Sequence, residues 1–178
     1  MSGWRPGDRR ADRASMVRVD QAGEYGATRI YAGQLAVLRA NSPEAKLIAR
    51  MAAQEQRHLD RFNALVAERR VRPTALQPLW NVAGFALGAA TALMSEQAAL
   101  ACTDAVETEI DKHYAQQLRE IGDDDPELAG DIEEFQAEEL EHRDTARAAG
   151  AQDAIGYPLL TGAIRAGCRV AIALSKRI

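Results

Sequence analysis

The chain has 178 residues, enough for one domain with a sizeable core or at most two small ones. Its net charge of −4 and pI near 5.5 argue against a nucleic-acid binder, which needs a basic excess to neutralise phosphates. The two cysteines, Cys102 and Cys168, lie in apolar settings without CxxC spacing, so neither a disulfide framework nor a thiolate metal site is indicated.

The first residues, "MSGWRPGDRRADRA", are polar and Arg-rich with no apolar h-region, which is not the pattern of a secretory signal. They are expected to form a flexible basic tail over 1–14, followed by a single domain over 15–178. Beyond the tail, glycine and proline are sparse, and the intervals are rich in Ala, Leu, Glu and Arg with apolar residues at helical spacing. The pattern predicts an all-α fold. A first helix runs from about Ser15 to Ala40, and a second from Pro43 to Arg70, with Ser42 as N-cap and proline at the first position. After a connector, a stretch without charge runs from Leu79 to Ser95, and an amphipathic helix continues to about Glu120. Asp125 caps a further long helix from Pro126 to about Ala149, which Gly150 ends. A last apolar and basic helix covers about Pro158 to Lys176. No strand signal competes.

A weak repeat runs through these helices. One with a lone inward glutamate precedes one with Glu-x-x-His, first as "AGEYG" and "QEQRH", then as "AVETE" and "EELEH". Such a repeat suggests a four-helix bundle with pseudo-twofold symmetry. At about 100° per residue, Glu139 and His142 fall on the stripe of Leu128, Ile132, Phe135 and Ala146. Glu138 lies at its edge, Glu141 to the side, and Glu133 nearly opposite. Glu55 and His58 share a stripe with Ile48, Met51, Phe62 and Val66. Glu24 aligns with Val17, Thr28, Tyr31, Leu35 and Leu38. Glu107 aligns with Leu100, Thr103, Ile110, Tyr114 and Leu118, while Glu109 faces away and Asp104 and Asp111 flank the stripe.

Four inward carboxylates with no matching set of inward Lys or Arg are strongly unfavourable unless cations hold them. Four carboxylates and two imidazoles suit two iron or manganese ions better than zinc or copper. One Glu from each of two helices plus Glu-x-x-His from each of the other two is the ligand set of ferritin-like di-iron carboxylate bundles. Glu24, Glu55, Glu107 and Glu139 are the expected carboxylate ligands, at least two of them bridging; His58 and His142 are the expected nitrogen ligands. His113 stands outside this set, either solvated or serving electron or proton delivery. Tyr31 and Tyr114 either pack in the core or hydrogen-bond ligands. A ferroxidase or peroxidase, and a non-catalytic quinone-binding scaffold, are the competing readings.

Two segments are unusually apolar: "LWNVAGFALGAATALMS" and "LLTGAIRAGCRVAIALSKR". Neither makes a clear membrane span. They either cover the bundle or form a monotopic surface, with Trp80 and Phe85 in the interface and Arg165, Arg169, Lys176 and Arg177 meeting anionic headgroups.

The motifs "RVDQAGEYGATRIYAGQ", "QEQRHLDRFN", "VRPTALQPLWNVAGFALGAATAL", "ACTDAVETEIDKHYAQQL", "EELEHRD" and "AGCRVAIALSKRI" together resemble the demethoxyubiquinone hydroxylase family of ubiquinone biosynthesis, over about Arg18 to Ile178. The family's six ligand positions fall on Glu24, Glu55, His58, Glu107, Glu139 and His142. The tail lacks a mitochondrial presequence, which fits a bacterial-type member. The resemblance implies a peripheral enzyme on the cytoplasmic face of the cell membrane. It would hydroxylate the ring of a polyprenylated methoxy-methyl-benzoquinol with two irons (Fe2+/Fe3+) and dioxygen. Electrons would come from NADH, although no GxGxxG fingerprint is present. An accessory lipid-binding protein and a homo-oligomer are further implied partners.

Overall fold

The computed structural model describes residues 12–178. Among them the regular elements are helical: α1 (Arg13–Val37), α2 (Pro43–Glu68), α3 (Gln77–Met94), α4 (Glu96–Ile121), α5 (Pro126–Ala148) and α6 (Tyr157–Ser175), with a 3-10 turn at Ala151–Asp153. Residues 1–11 of the expected tail lie outside the described residues. Asp12 belongs to α1 as its N-cap, accepting a hydrogen bond from the Ser15 amide.

Side-chain caps account for most of the helix starts. Ser42 and Asp125 accept from the amides of Ala45 and Leu128, each with proline at the first helical position. The charge-free run does not flow into the next helix, because Ser95 is extended and its hydroxyl accepts from the Ala98 amide. This cap ends α3 and begins α4. Gly150, at φ +98°, ends the connection from α5 in the left-handed region that favours glycine.

The helices form a ferritin-like bundle of α1, α2, α4 and α5, with α3 inside the long crossover between its halves. α3 packs on α1 and α4, and α6 packs on α4 and α1. The α1–α3 contact brings backbones together: a Cβ on Gly88 would lie 1.9 Å from the Ile30 carbonyl oxygen, and one on Gly33 would lie 2.1 Å from that of Phe85. Glycine at these positions lets an apolar helix sit directly on the bundle.

Two buried clusters plug the bundle. One contains Tyr31, Ile48, Met51 and Leu100; the other contains Val17, Phe62, Tyr114, Ile132 and Phe135. On every bundle helix the acidic residue of interest lies between members of the two clusters, so the carboxylates occupy the middle of the core. The C-terminal end of α6 is tied back to α1, where Arg18 and Ser15 donate to the Lys176 carbonyl at 3.2 and 2.9 Å.

Candidate metal centre

Glu24, Glu55, His58, Glu107, Glu139 and His142 converge in the core, each at most 2% exposed. Glu139 stands between the two imidazoles, with Oε1 3.0 Å from His58 Nδ1 and Oε2 3.1 Å from His142 Nδ1. Glu24 Oε2 lies 3.6 Å from His58 Nδ1, and Glu55 Oε1 lies 3.2 Å from His142 Nδ1. Two four-residue groups could each hold an ion: Glu24, Glu55, His58 and Glu139, and Glu55, Glu107, Glu139 and His142. Glu55 and Glu139 belong to both groups.

The electrostatics support cation binding. Among the described residues, every ion pair of these four glutamates is with His58 or His142, never with Lys or Arg. Both oxygens of Glu55 and one each of Glu24 and Glu107 are buried without a hydrogen-bond partner, a strongly unfavourable state unless a cation takes them. Burial, then the Glu139 charge, raises the carboxyls of Glu55 and Glu107 well above the usual range. Glu139 is equally buried, yet hydrogen bonds from His142 and His58 hold it down at about 2. Burial opposes the charge on His58, but Glu139 and Glu24 outweigh it and hold the imidazolium to about 10. The donor set, oxygen-rich with one imidazole per ion, fits iron or manganese.

Surrounding residues hold this set in place. Tyr114 donates to Glu24, and Tyr31 donates to Glu107 at 3.0 Å. Phe135 stacks on His58 with ring centroids 4.1 Å apart. Glu138 is more than an edge residue, because His58 Nε2 lies 2.6 Å from its Oε2 and Arg57 grips the same carboxylate. On the other side His142 Nε2 lies 2.9 Å from Gln54 Oε1. Glu141 is exposed.

The residues flanking the wheel have other partners. Asp104 is buried and bonded by Arg147 and Tyr157. Gln136 donates to Asp111 at 2.7 Å. Glu109 faces away from the carboxylates but is not solvated, since α6 covers it and Arg165 donates to it at 2.9 Å. Arg169 lies 3.3 Å from the same oxygen, so these two arginines pair within the protein. His113 is 8% exposed at its side chain, with Nε2 3.0 Å from Asp20 Oδ1. Gln117 donates to that same oxygen at 2.8 Å.

An apolar cavity of about 520 Å³ lies among α1, α3, α4 and α6. Gly23 and Ala27, which bracket Glu24 on α1, line it, as do Val106 and Ile110, which bracket Glu107 on α4. α3 contributes Trp80 and Leu87, and α6 contributes Ile164 and Cys168. Trp80 is half-buried with its indole N–H on Ser175, so it belongs to the cavity wall more than to the outer surface, whereas Phe85 is exposed.

Residues 11–175 match the family described as ubiquinone biosynthesis protein COQ7. The chain belongs to this family. It is 56% identical over 162 residues to a 3-demethoxyubiquinol 3-hydroxylase of Rhodospirillum rubrum, covering 91% of the chain and 76% of the relative. A mitochondrial NADPH-dependent 3-demethoxyubiquinone 3-hydroxylase of Homo sapiens is 52% identical over 167 residues, covering 92% and 76%. A mitochondrial 5-demethoxyubiquinone hydroxylase of Saccharomyces cerevisiae is 43% identical over 179 residues, covering 92% and 77%. In this COQ7-family chain, among the described residues, no helix is long and apolar enough to cross a membrane.

Proposed function

We propose that this chain is a monooxygenase that hydroxylates the ring of a polyprenylated 3-demethoxyubiquinol. Two irons would be held by Glu24, Glu55, His58, Glu107, Glu139 and His142, with Glu55 and Glu139 bridging. The observation that carries this reading is a buried Glu/His cluster on helices whose neighbouring residues, Gly23 and Ala27 beside Glu24 and Val106 and Ile110 beside Glu107, line a largely apolar cavity. Its 520 Å³ falls within the range of about 300–1,000 Å³ for small-molecule sites. A substituted quinol ring fits such a space, with its tail leaving along the apolar helices.

The iron pair, when bound, supplies dioxygen activation. The balance is one ring C–H, one dioxygen, two electrons and two protons, giving one ring hydroxyl and one water. The chain's own residues position the parts. Tyr114 and Tyr31 fix the terminal carboxylates through their hydroxyls, and burial with the neighbouring charges of Glu24 and Glu107 keeps both phenols protonated. The cavity walls are largely alkyl and disfavour water there. His113 and Tyr114 serve proton delivery in this reading: His113, largely buried, bonds the buried Asp20, and the adjacent Tyr114 bonds Glu24. The reductant is a reduced nicotinamide, NADH by resemblance; the human relative's name specifies NADPH.

The enzyme is proposed to act as a peripheral protein on the cytoplasmic face of the cell membrane. Leu79, Val82 and Phe85 of α3 and Leu159, Val170 and Leu174 of α6 are exposed and offer an apolar surface beside the cavity. An accessory lipid-binding protein and self-association are further proposed partners.

Purified protein loaded with Fe(II), given demethoxyquinol, NADH or NADPH and isotopically labelled dioxygen, should yield a ring hydroxyl carrying the label. Iron oxidation without ring hydroxylation would assign the chain to the ferroxidase reading. His113→Gln should slow the reaction while leaving metal content unchanged.

A further inference from the structure

The two halves of the carboxylate cluster are matched at nearly every position. Each terminal glutamate accepts a hydrogen bond from a tyrosine, Glu24 from Tyr114 and Glu107 from Tyr31. Each histidine turns Nδ1 toward Glu139 and Nε2 outward. The outward partner always comes from the residue preceding a bridging glutamate on the opposite helix: Glu138 for His58, and Gln54 for His142. Here the match fails, because one partner is a carboxylate and the other an amide.

With Nδ1 on a metal, the neutral imidazole carries its proton on Nε2 and donates it outward. Donation to a carboxylate is stronger than donation to an amide oxygen and makes the ring a better electron donor. Glu138 is fixed for this role, since Arg57 Nη2 lies 2.7 and 2.6 Å from its two oxygens. Gln54 accepts at the longer distance of 2.9 Å, against 2.6 Å for Glu138.

We propose that Glu138 and Gln54 make the two metal positions unequal. The position held by Glu24 and His58 binds its ion more tightly, and the position held by Glu107 and His142 loses its ion first. Glu138 is a positioning residue that acts through His58. This inference rests on the dinuclear reading above.

The test is calorimetric titration of the full chain with Co(II) alone, on wild type and on Glu138→Gln, Gln54→Glu, the double variant and the surface control Glu141→Gln. Circular dichroism should establish that each variant is folded. Outer partners of metal-bound histidines typically change affinity by about 10–100-fold, so wild type should fill in two steps separated by that order. Glu138→Gln should weaken the tighter step and spare the weaker one. Gln54→Glu should strengthen the weaker step and spare the tighter. The double variant should separate the steps again, and Glu141→Gln should match wild type. Equal steps in wild type, or either substitution moving both steps alike, would overturn the proposal while leaving the dinuclear site standing. Failure of every form to bind Co(II) would overturn both.

Discussion

Gly88→Ala tests whether the apolar α3 must lie in backbone contact with the bundle. The added Cβ would lie 1.9 Å from the Ile30 carbonyl oxygen, where ordinary contact begins at 3.4 Å, so α3 must retreat by about 1.5 Å (3.4 − 1.9). Overpacking of this kind costs about 3 kcal/mol, and gaps of this size forfeit a good part of the dispersion along the contact. Alanine returns up to ~1 kcal/mol through helix propensity. The net loss is about 2 kcal/mol or more, which lowers Tm by roughly 4–8 °C for a domain of this size. Thermal denaturation followed by circular dichroism measures it. Gly130→Ala is the matched control, because Gly130 is exposed on α5 and a Cβ there meets nothing within 4 Å; Tm should rise by roughly 2–4 °C or less. Since α3 also carries Trp80, Gly84 and Leu87 of the cavity wall, Gly88→Ala should raise KM for the quinol. A Tm for Gly88→Ala within a degree of wild type, or a matching fall for Gly130→Ala, would refute the close-packing argument.

Glu139→Ala should empty both metal positions and reduce hydroxylation by at least ~100-fold, whereas Glu141→Ala should leave metal content and rate near wild type; metal analysis beside product analysis reads both. Metal loading should release protons, because Glu55, Glu107 and His58 all hold theirs above their ordinary range in the metal-free protein. Affinity should therefore rise with pH and fall as these groups protonate, which an indicator dye in weak buffer and titrations at several pH values would follow. Asp125→Ala removes the α5 cap and the partner of Arg69, and should destabilise the chain by about 2 kcal/mol. The Arg69 bonds, acting against partial burial, lower the Asp125 carboxyl in the folded state. Its contribution is thus complete above the ordinary carboxyl range and disappears as pH falls through the folded value; the wild-type advantage over Asp125→Ala in a urea titration should vanish in acid.

The ligand helices were legible because period and chemistry agree: a glutamate on an apolar stripe contradicts the stripe unless something binds it. The helix caps were legible for a similar local reason, with Ser42 and Asp125 both preceding proline. A wheel, however, reports angles about one axis and says nothing of a side chain reaching from the next helix. Glu138 lies beside the inward stripe of α5, and only the His58 ring leaning out from α2 gives it a role. The repeat held the missing signal, since Gln54 and Glu138 stand at equivalent positions in "QEQRH" and "EELEH". Asp20 lies one turn before Glu24 but outside the repeat, whose equivalent position is Thr103, and its role depends on His113 and Gln117, an i,i+4 pair reaching across from α4. Glu109 was legible as facing away from the site, but its burial depends on α6, whose Arg165 and Arg169 share one helix face at i,i+4 and close on it.

The two flanks of the bundle differ in chemistry, and the difference bears on how the site is supplied. α3 and α6 pack on the α1 and α4 flank, where the cavity opens among alkyl side chains and glycines. Between α2 and α5, Arg57 meets Glu134 and Glu138, Arg61 meets Asp131 and Glu127, and Arg69 meets Asp125 and Glu127. These pairs are partly exposed, so solvent screening limits what each adds to stability, and their consistent placement matters more for what the flank admits. A flank of alternating charge disfavours a prenyl chain and keeps Glu138 oriented on His58, whereas on the proposed reading the apolar flank would take the chain. Substitutions should separate along this division. Changes at the cavity wall should move KM for the quinol without moving metal affinity, and changes at Arg57 or Glu138 should do the reverse.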